Sequence, residues 1–167
     1  MFAILRSYGI PEEIEQAIRV LYDDSTSKVF VDSKFSKEFK VATGVLQGDV
    51  LAPSLFIIVM DYVMRDAEGE FGFVTHLRQS SRMPEQRLND LAYADNIALL
   101  EGSLIRAQQQ LDRTNNSALK VGLEINVGKT NRMELNTSNA AQGTLTLNAE
   151  PIELVMASSE KDMKHRK

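Results

Sequence analysis

A short polar centre between two apolar runs is the stretch of this sequence whose residue types could do chemistry. Residues 88–100 read Leu-Asn-Asp-Leu-Ala-Tyr-Ala-Asp-Asn-Ile-Ala-Leu-Leu, and the Asp95-Asn96 dipeptide tolerates tight-turn dihedrals. Read as a β-hairpin, the stretch places the Asp95 carboxylate at the bend of a rigid ribbon. Strand alternation then predicts that four side chains share one side of the ribbon: Leu91, Tyr93, Ile97 and Leu99.

The chemistry that such a carboxylate offers is the binding of a hard divalent cation. Oxygen ligands that the fold holds in place beforehand lose little entropy when the ion binds. The alternative is a plain turn that uses Asp and Asn because turns accept them. Residues 88–100 alone favour the plain turn, so the choice depends on the rest of the chain.

A second candidate is the loop at residues 43–49, Thr-Gly-Val-Leu-Gln-Gly-Asp. Its two glycines, Gly44 and Gly48, let the backbone approach a ligand closely. The amide of Gln47, which lies between them, can both donate and accept hydrogen bonds. The alternative is an ordinary connection between a strand and a helix.

Composition indicates one globular domain with a sizeable core. The chain has 167 residues, of which 43% are hydrophobic and 25% are charged. Because it contains no Cys, disulfides, thiolate nucleophiles and cysteine zinc sites are excluded. Its net charge of −4 predicts weak and strongly salt-dependent binding to RNA or DNA. The longest apolar run, residues 50–60, is too short to span a membrane, and we expect an intracellular location in the cytoplasm or nucleus.

Three helices are expected from caps and periodicity. The first begins at Pro11 and ends near Tyr22; the second runs from about Pro53 to Arg65 and is apolar on most sides, as in a buried helix. The third begins after the capping residue Ser103 and runs to Val121. The apolar stripe of the first helix is predicted to be Ile14, Ala17, Ile18 and Leu21. The stripe of the third is interrupted at Asn115, which should face inward.

Several short strands are expected around these helices. A hairpin should pair residues 28–31 with 39–41, and a short strand should lie within residues 72–77. Alternation also predicts strands at residues 123–127, 132–135, 144–147 and 152–155, with a turn at 148–151 joining the last two. These elements together indicate an α+β fold.

Taken in order, the segments resemble the reverse-transcriptase domain of non-LTR (LINE-type) retrotransposons. The resemblance runs from Phe2 to Val155, and its five motifs occur in the family's order and at its usual spacings. The motifs are Gly9-Ile10-Pro11, then Leu-Tyr-Asp-Asp-Ser-Thr-Ser at 21–27, the glutamine loop with the following Val-Leu-Ala-Pro-Ser-Leu-Phe at 43–56, Tyr-Ala-Asp-Asn-Ile-Ala-Leu-Leu at 93–100, and Gly-Leu-Glu-Ile-Asn-Val-Gly-Lys-Thr at 122–130.

The resemblance implies a polymerase right-hand palm with part of the fingers, in which an antiparallel sheet is backed by helices. Residues 1–155 would form this partial domain, truncated at both ends, and residues 156–167 a divergent, disordered tail. Such enzymes are RNA-directed DNA polymerases. They extend a DNA primer on an RNA template with deoxynucleoside triphosphates, using Mg²⁺ or Mn²⁺ in a two-metal displacement.

The resemblance also implies roles for single residues. Asp95 matches the metal-binding carboxylate of the family's Tyr-Ala-Asp-Asp hairpin, and Lys129 matches the lysine near the triphosphate. Gln47, Gly48 and Tyr93 match positions that lie against the template or the incoming nucleotide. Asp49 is within the family's variation, and no role is assigned to it.

Two departures from the family pattern bear on activity. The hairpin's second Asp is Asn96 here, and the family's other essential Asp lies on a strand before the Gly9-Ile10-Pro11 motif, which this chain lacks. Two metals need at least two anionic ligands to offset their mutual repulsion. We therefore expect the chain to be inactive by itself. The alternative is a non-catalytic, retrotransposon-derived module that binds nucleic acid or protein, with a partner chain covering the exposed edge of the hairpin.

Overall fold

Helices and short paired strands alternate along the chain. The computed structural model describes residues 1–41, 44, 48–135 and 143–156, and the chain divides into two units, Met1–Tyr62 and Val63–Lys167. The α-helices are α1 Phe2–Ser7, α2 Glu12–Tyr22, α3 Ala52–Ala67 and α4 Leu104–Lys120. The strands are β1 Thr26–Ser27, β2 Phe30–Val31, β3 Lys34–Phe35, β4 Phe39–Lys40, β5 Phe73–His76, β6 Gln86–Leu88, β7 Asp90–Tyr93, β8 Asn96–Leu99, β9 Asn131–Glu134, β10 Thr146–Leu147, β11 Glu150–Pro151 and β12 Glu153–Met156.

The strands of the described ranges form six separate two-stranded sheets, five antiparallel and one parallel. The continuous antiparallel sheet that the resemblance implied does not appear there. The mixture of helix and strand agrees with the predicted α+β class. No helix in these ranges is both long enough and apolar enough to cross a membrane.

Helix α2 begins and ends where its caps predict. Pro11 precedes it, acidic residues occupy its first turn, and it ends at Tyr22. The predicted apolar stripe is wrong, however: Ile18 is buried, but Ile14, Ala17 and Leu21 are exposed. The helix turns a different face inward because α1 packs against it, and Leu5 of α1 forms a core cluster with Ile18 and Leu55.

That inward face of α2 also carries a buried carboxylate. Glu15 forms ion pairs with Arg6 of α1 at 3.0 Å and with Arg19, one turn along α2, at 2.9 Å. Pairing with two guanidinium groups offsets the cost of removing the carboxylate from water. A polar residue therefore occupies a position that simple apolar periodicity cannot predict.

The hairpin expected after α2 is present but nested. Its inner strands β2 and β3 are joined by the two residues Asp32 and Ser33, both with positive φ, and its outer strands β1 and β4 pair around them. The expected pairing of 28–31 with 39–41 is therefore wrong in register.

Helices α3 and α4 lie where they were predicted. In α3, Leu55 and Val63 are buried, but Ile57 is exposed, so the helix is buried on one side rather than all round. The Ser103 hydroxyl accepts a hydrogen bond from the Arg106 backbone N–H at the start of α4, and Gly122 follows the helix with a φ of +79°. Asn115 faces inward as expected, and its side-chain amide donates to Asn148 Oδ1 at 3.0 Å.

The C-terminal part of the second unit packs on a core cluster of Leu111, Leu147 and Ile152. The turn between β10 and β11 is Asn148-Ala149 alone, so the longer turn predicted at 148–151 is wrong in its second half. The strand predicted at 123–127 is also wrong, because this segment pairs with no strand of the described part. Ile125 and Val127 pack against the cluster instead. Strands β9 and β12 pair in parallel.

Candidate active site

The central hairpin has the predicted position and carries Asp95 in its turn. Strands β7 and β8 pair from Asp90↔Leu99 to Tyr93↔Asn96, which leaves a two-residue turn of Ala94 and Asp95. Ala94 has a φ of +53°, a value that tight hairpin turns require. The turn therefore directs a carboxylate away from the paired strands.

The predicted facing of the hairpin's side chains is wrong. Directly paired residues share a face, so Leu91 and Tyr93 lie opposite Ala98 and Asn96 on one face, whereas Ile97 and Leu99 lie on the other. The prediction treated Asp95 as a one-residue apex. A two-residue turn instead pairs residues of opposite parity and moves one strand's side chains to the other face.

The two faces differ in exposure. Tyr93 is 83% exposed on the outer face, and Leu91 is exposed beside it. Ile97 and Leu99 are half-buried, and Leu99 packs against the cluster around Leu111. One face of the hairpin thus packs against the core cluster of the second unit, and the other face exposes the Tyr93 ring to solvent.

Glu101 fastens the base of the hairpin, and sequence reasoning missed it. Its carboxylate accepts hydrogen bonds from the Gly72 backbone N–H at 2.8 Å and from Arg106 Nε at 3.2 Å, and its side chain is only 3% exposed. Arg106 also reaches the carbonyl of Glu70. Because Gly72 lies 29 positions before Glu101, no local signal could have identified that contact.

Only glycine fits at position 72, where the backbone N–H donates to Glu101. It has a φ of +103°, and a Cβ on it would lie 2.1 Å from Asn89 Oδ1 and 2.9 Å from the Leu88 carbonyl oxygen. The Asn89 carbonyl in turn accepts from Leu100 N–H and from Gln110 Nε2, at 2.8 and 2.9 Å. These contacts tie both ends of the hairpin to α4.

Asp90 lies at the foot of the hairpin, away from the turn. Burial raises the pKa of its carboxyl above the ordinary value, and the negative charge of Glu68 raises it further. The electrostatics at this end of the hairpin therefore disfavour additional negative charge.

The turn itself offers a single negative charge. Asp95 and Asn96 are both exposed, and Asn96 Nδ2 donates to Asp95 Oδ1 at 3.2 Å. Among the residues that the structure describes, no three His, Asp or Glu side chains cluster as metal ligands would. One carboxylate, with a neutral amide as its neighbour, does not fit a two-metal site.

The remaining predicted site residues lie on different elements. Gln47 falls outside the described residues. Gly48 belongs to the first unit, is exposed, has a φ of +90° and has open space where a side chain would be. Lys129 belongs to the second unit and is exposed at the end of a 3₁₀ turn, Val127–Lys129, where the Asn126 side chain accepts its backbone N–H at 3.1 Å.

Asp49, to which the sequence assigned no role, organises the start of α3. Its carboxylate accepts from Tyr22 Oη at 2.6 Å and from the Leu51 backbone N–H at 3.2 Å, and these hydrogen bonds lower the pKa of Asp49. An Asp shortly before a helix is an N-terminal signal that could have indicated this role.

Comparison with known families gives the class of the chain. The family described as "Reverse transcriptase (RNA-dependent DNA polymerase)" matches residues 2–158, nearly the whole sequence. The chain belongs to the reverse transcriptase family, and its resemblance to non-LTR retrotransposon enzymes is confirmed.

Two relatives of the chain are Pol polyproteins of retrotransposable elements. A protein of Drosophila melanogaster, the Retrovirus-related Pol polyprotein from type-2 retrotransposable element R2DM, is 31% identical over 129 residues. A protein of Nasonia vitripennis, the Retrovirus-related Pol polyprotein from type-1 retrotransposable element R2, is 31% identical over 121 residues. These matches cover 77% and 72% of this chain, but only 11% of each relative. The chain thus spans about a tenth of the length of these relatives.

Proposed function

We propose that residues 1–155 are part of the palm and fingers of a non-LTR reverse transcriptase. The tail expected from residue 156 would begin after β12, which ends at Met156. In this proposal the Asp95 carboxylate is the hairpin's ligand for Mg²⁺ or Mn²⁺. The proposal assigns to Tyr93, Gln47 and Gly48 the role of contacting the RNA template, the DNA primer or the incoming nucleotide, and to Lys129 that of contacting the triphosphate. The observation that carries the proposal is Asp95 in the turn of a hairpin, within a chain that the family matches almost throughout.

We further propose that this chain does not polymerise DNA by itself. The support is electrostatic: the hairpin turn carries one carboxylate, and Asn96 supplies a carbonyl oxygen without a charge. Two divalent ions a few ångströms apart repel each other strongly, and one negative charge does not offset that repulsion. In the family such ions activate the nucleophile and neutralise the leaving group.

A primer-extension assay tests this proposal. The purified chain is incubated with a labelled DNA primer on an RNA template, deoxynucleoside triphosphates and either Mg²⁺ or Mn²⁺. No extension is expected from the chain or from its Asn96→Asp variant, because both carboxylates of the variant would lie on the same turn, whereas the family's metal site also uses an Asp on a separate strand. An unrelated active reverse transcriptase verifies that the substrate is extendable. Templated, metal-dependent extension by the chain would contradict the proposal.

The second candidate function is a non-catalytic module that binds nucleic acid or protein, and Asn96 is the feature that favours it. Neither β7 nor β8 pairs with a third strand among the described residues, so the hairpin has backbone groups with which a partner chain could pair. We expect weak association with RNA or DNA that falls steeply with added salt, because the net charge is −4. Tight, salt-insensitive binding would count against this expectation. An intracellular location accords with both functions.

A further inference from the structure

Strand β9 of the second unit has an edge that pairs with no other strand of the described residues. β9 pairs in parallel with β12, and these two strands form a sheet of their own. Parallel strands usually belong to larger sheets whose faces are covered. A free edge presents backbone N–H and C=O groups with which another strand can pair. The edge of β9 is therefore a candidate surface for pairing between chains.

The side chains of β9 suit such pairing on both of its faces. On one face, Met133 is 60% exposed beside its directly paired neighbour Val155 of β12, so apolar surface lies in water. On the other face, Arg132 forms an ion pair with Glu134 and donates to the Gly143 carbonyl at 2.7 Å. The side chains of this ion pair are only 9% and 18% exposed. Further opposite charge beside them would therefore be screened less than on an open surface.

The order of charges along β9 selects one way of pairing with a second copy of the chain. In an antiparallel pair of β9 strands centred on Met133, Arg132 of each copy lies opposite Glu134 of the other. A shift of this register by one residue places Arg132 opposite Met133 or Leu135, and the match of charges is lost. A parallel pair in register would place like charges opposite each other, which is destabilising.

The other free strand edges lack this self-complementarity. Among the strands that the structure describes, β9 alone contains both a basic Lys or Arg and an acidic Asp or Glu. Strand β12 carries only Glu153, and the central hairpin carries only Asp90 within its strands. Self-pairing along those edges would therefore form no ion pair between the two copies.

We propose that the chain forms a two-fold symmetric dimer in which the free edges of two β9 strands pair antiparallel, with Met133 at the symmetry axis. The two sheets would then join in the order β12-β9-β9-β12. Arg132 of each copy would lie beside Glu134 of its own chain and Glu134 of the second copy. Such an interface is closed, because each copy occupies the edge that the other offers. Since it is small, the dimer should be weak and dependent on concentration.

This inference goes beyond the proposed function, because it depends neither on catalysis nor on nucleic acid. β9 begins at Asn131, directly after the motif at 122–130, and the family resemblance assigned it no role. Failure of the experiments below would refute the dimer and leave the proposed function as it stands.

Sedimentation equilibrium of the full chain at rising concentration measures the association. Met133→Glu would place two carboxylates side by side at the axis, so the dissociation constant of the dimer should rise about tenfold or more. Leu91→Glu changes an apolar residue of β7 with similar exposure, 56%, and is the matched control that should leave dimerisation unchanged. A chain that stays monomeric up to about 1 mM, or equal effects of the two substitutions, would overturn the proposal.

Two charge variants test the register. Arg132→Glu and Glu134→Lys would each place like charges opposite one another in both halves of the interface, so each variant alone should be monomeric. In an equimolar mixture, every one of these positions faces an opposite charge, and a dimer with one copy of each variant should form. A mixture of folded variants, with circular dichroism spectra like that of the unaltered chain, that dimerises no better than either variant alone would contradict this register.

A cross-link tests the same geometry without changing any charge. The chain contains no Cys, so Met133→Cys introduces a single thiol. Across the axis, the two Cβ atoms at position 133 should be about 4.5–5.5 Å apart, close enough for a disulfide after slight adjustment. Under mild oxidation this variant should form a covalent dimer much faster than the similarly exposed control Leu91→Cys. Equal rates, or a faster reaction of the control, would refute pairing through β9.

Discussion

Removal of the Glu101 carboxylate should destabilise the base of the central hairpin. Glu101→Ala leaves the buried Gly72 N–H without its acceptor, which costs about 1–3 kcal/mol. It also removes the partner of Arg106, but that side chain is 40% exposed and recovers water, so this loss should stay under about 1 kcal/mol. We therefore expect a total loss of about 1–4 kcal/mol.

Equilibrium urea unfolding, followed by far-ultraviolet circular dichroism, measures this loss. With an m value of about 2 kcal/mol per M, a decrease of that size lowers the midpoint by roughly 0.5–2 M urea. Glu101→Gln keeps an oxygen acceptor for Gly72 and should lose clearly less than the alanine variant. Glu85→Ala removes a partly exposed ion pair with Arg87 and should cost less than about 1 kcal/mol. If Glu101→Ala costs no more than Glu85→Ala, Glu101 does not anchor the hairpin.

Three further changes test packing and electrostatics in the second unit. Leu147→Ala should cost about 2–5 kcal/mol in urea unfolding because Leu147 is 1% exposed, whereas Leu154→Ala, at a half-exposed side chain, should cost under about 1.5 kcal/mol. Asp90→Asn should raise the urea midpoint at neutral pH: the pKa of Asp90 is raised, so the folded state loses stability as pH rises through that pKa and the carboxyl ionises. Because this group keeps part of its water, the gain should stay under about 1 kcal/mol. Lys120→Met should raise the pKa of Asp66 in an NMR titration, since hydrogen bonds from Lys120 and Ser117 lower it. That lowered pKa stabilises the fold above the ordinary pKa of Asp, and the contribution is lost as pH falls through the lowered pKa.

The elements that local chemistry determines could be predicted from the sequence. Helix α4 begins after Ser103 and is followed by Gly122, because a hydroxyl cap and a glycine with positive φ act within one turn of the helix. The hairpin around Asp95 was located for a similar reason, since a tight polar turn between apolar runs is a short-range signal.

Features that depend on distant partners could not be predicted in this way. Residues 123–127 alternate like a strand, but a strand needs a neighbour, and here Ile125 and Val127 pack on a core cluster instead. The buried side of α2 is set by α1, so Ile14 and Leu21 are exposed despite their helical spacing. Glu101 reaches Gly72 across 29 positions, which no periodic pattern encodes.

The same distinction between local signals and distant partners applies to the residues of the candidate site. Asp95 and Asn96 were identified from their types and from the family motif, and the turn places both in solvent. The facing of Tyr93 was predicted wrongly, because the face depends on whether the turn contains one residue or two. The roles of Gln47, Gly48, Tyr93 and Lys129 stay predictions.

The central claim is that Asp95 is a polymerase-type metal ligand that lacks a second carboxylate at its turn. Titration of the ¹⁵N-labelled chain with Mn²⁺, followed by paramagnetic broadening of its NMR signals, tests this most directly. We predict weak broadening centred on Asp95, which Asn96→Asp strengthens severalfold and Asp95→Asn removes. Broadening that is centred elsewhere, or that neither substitution changes, would contradict the claim.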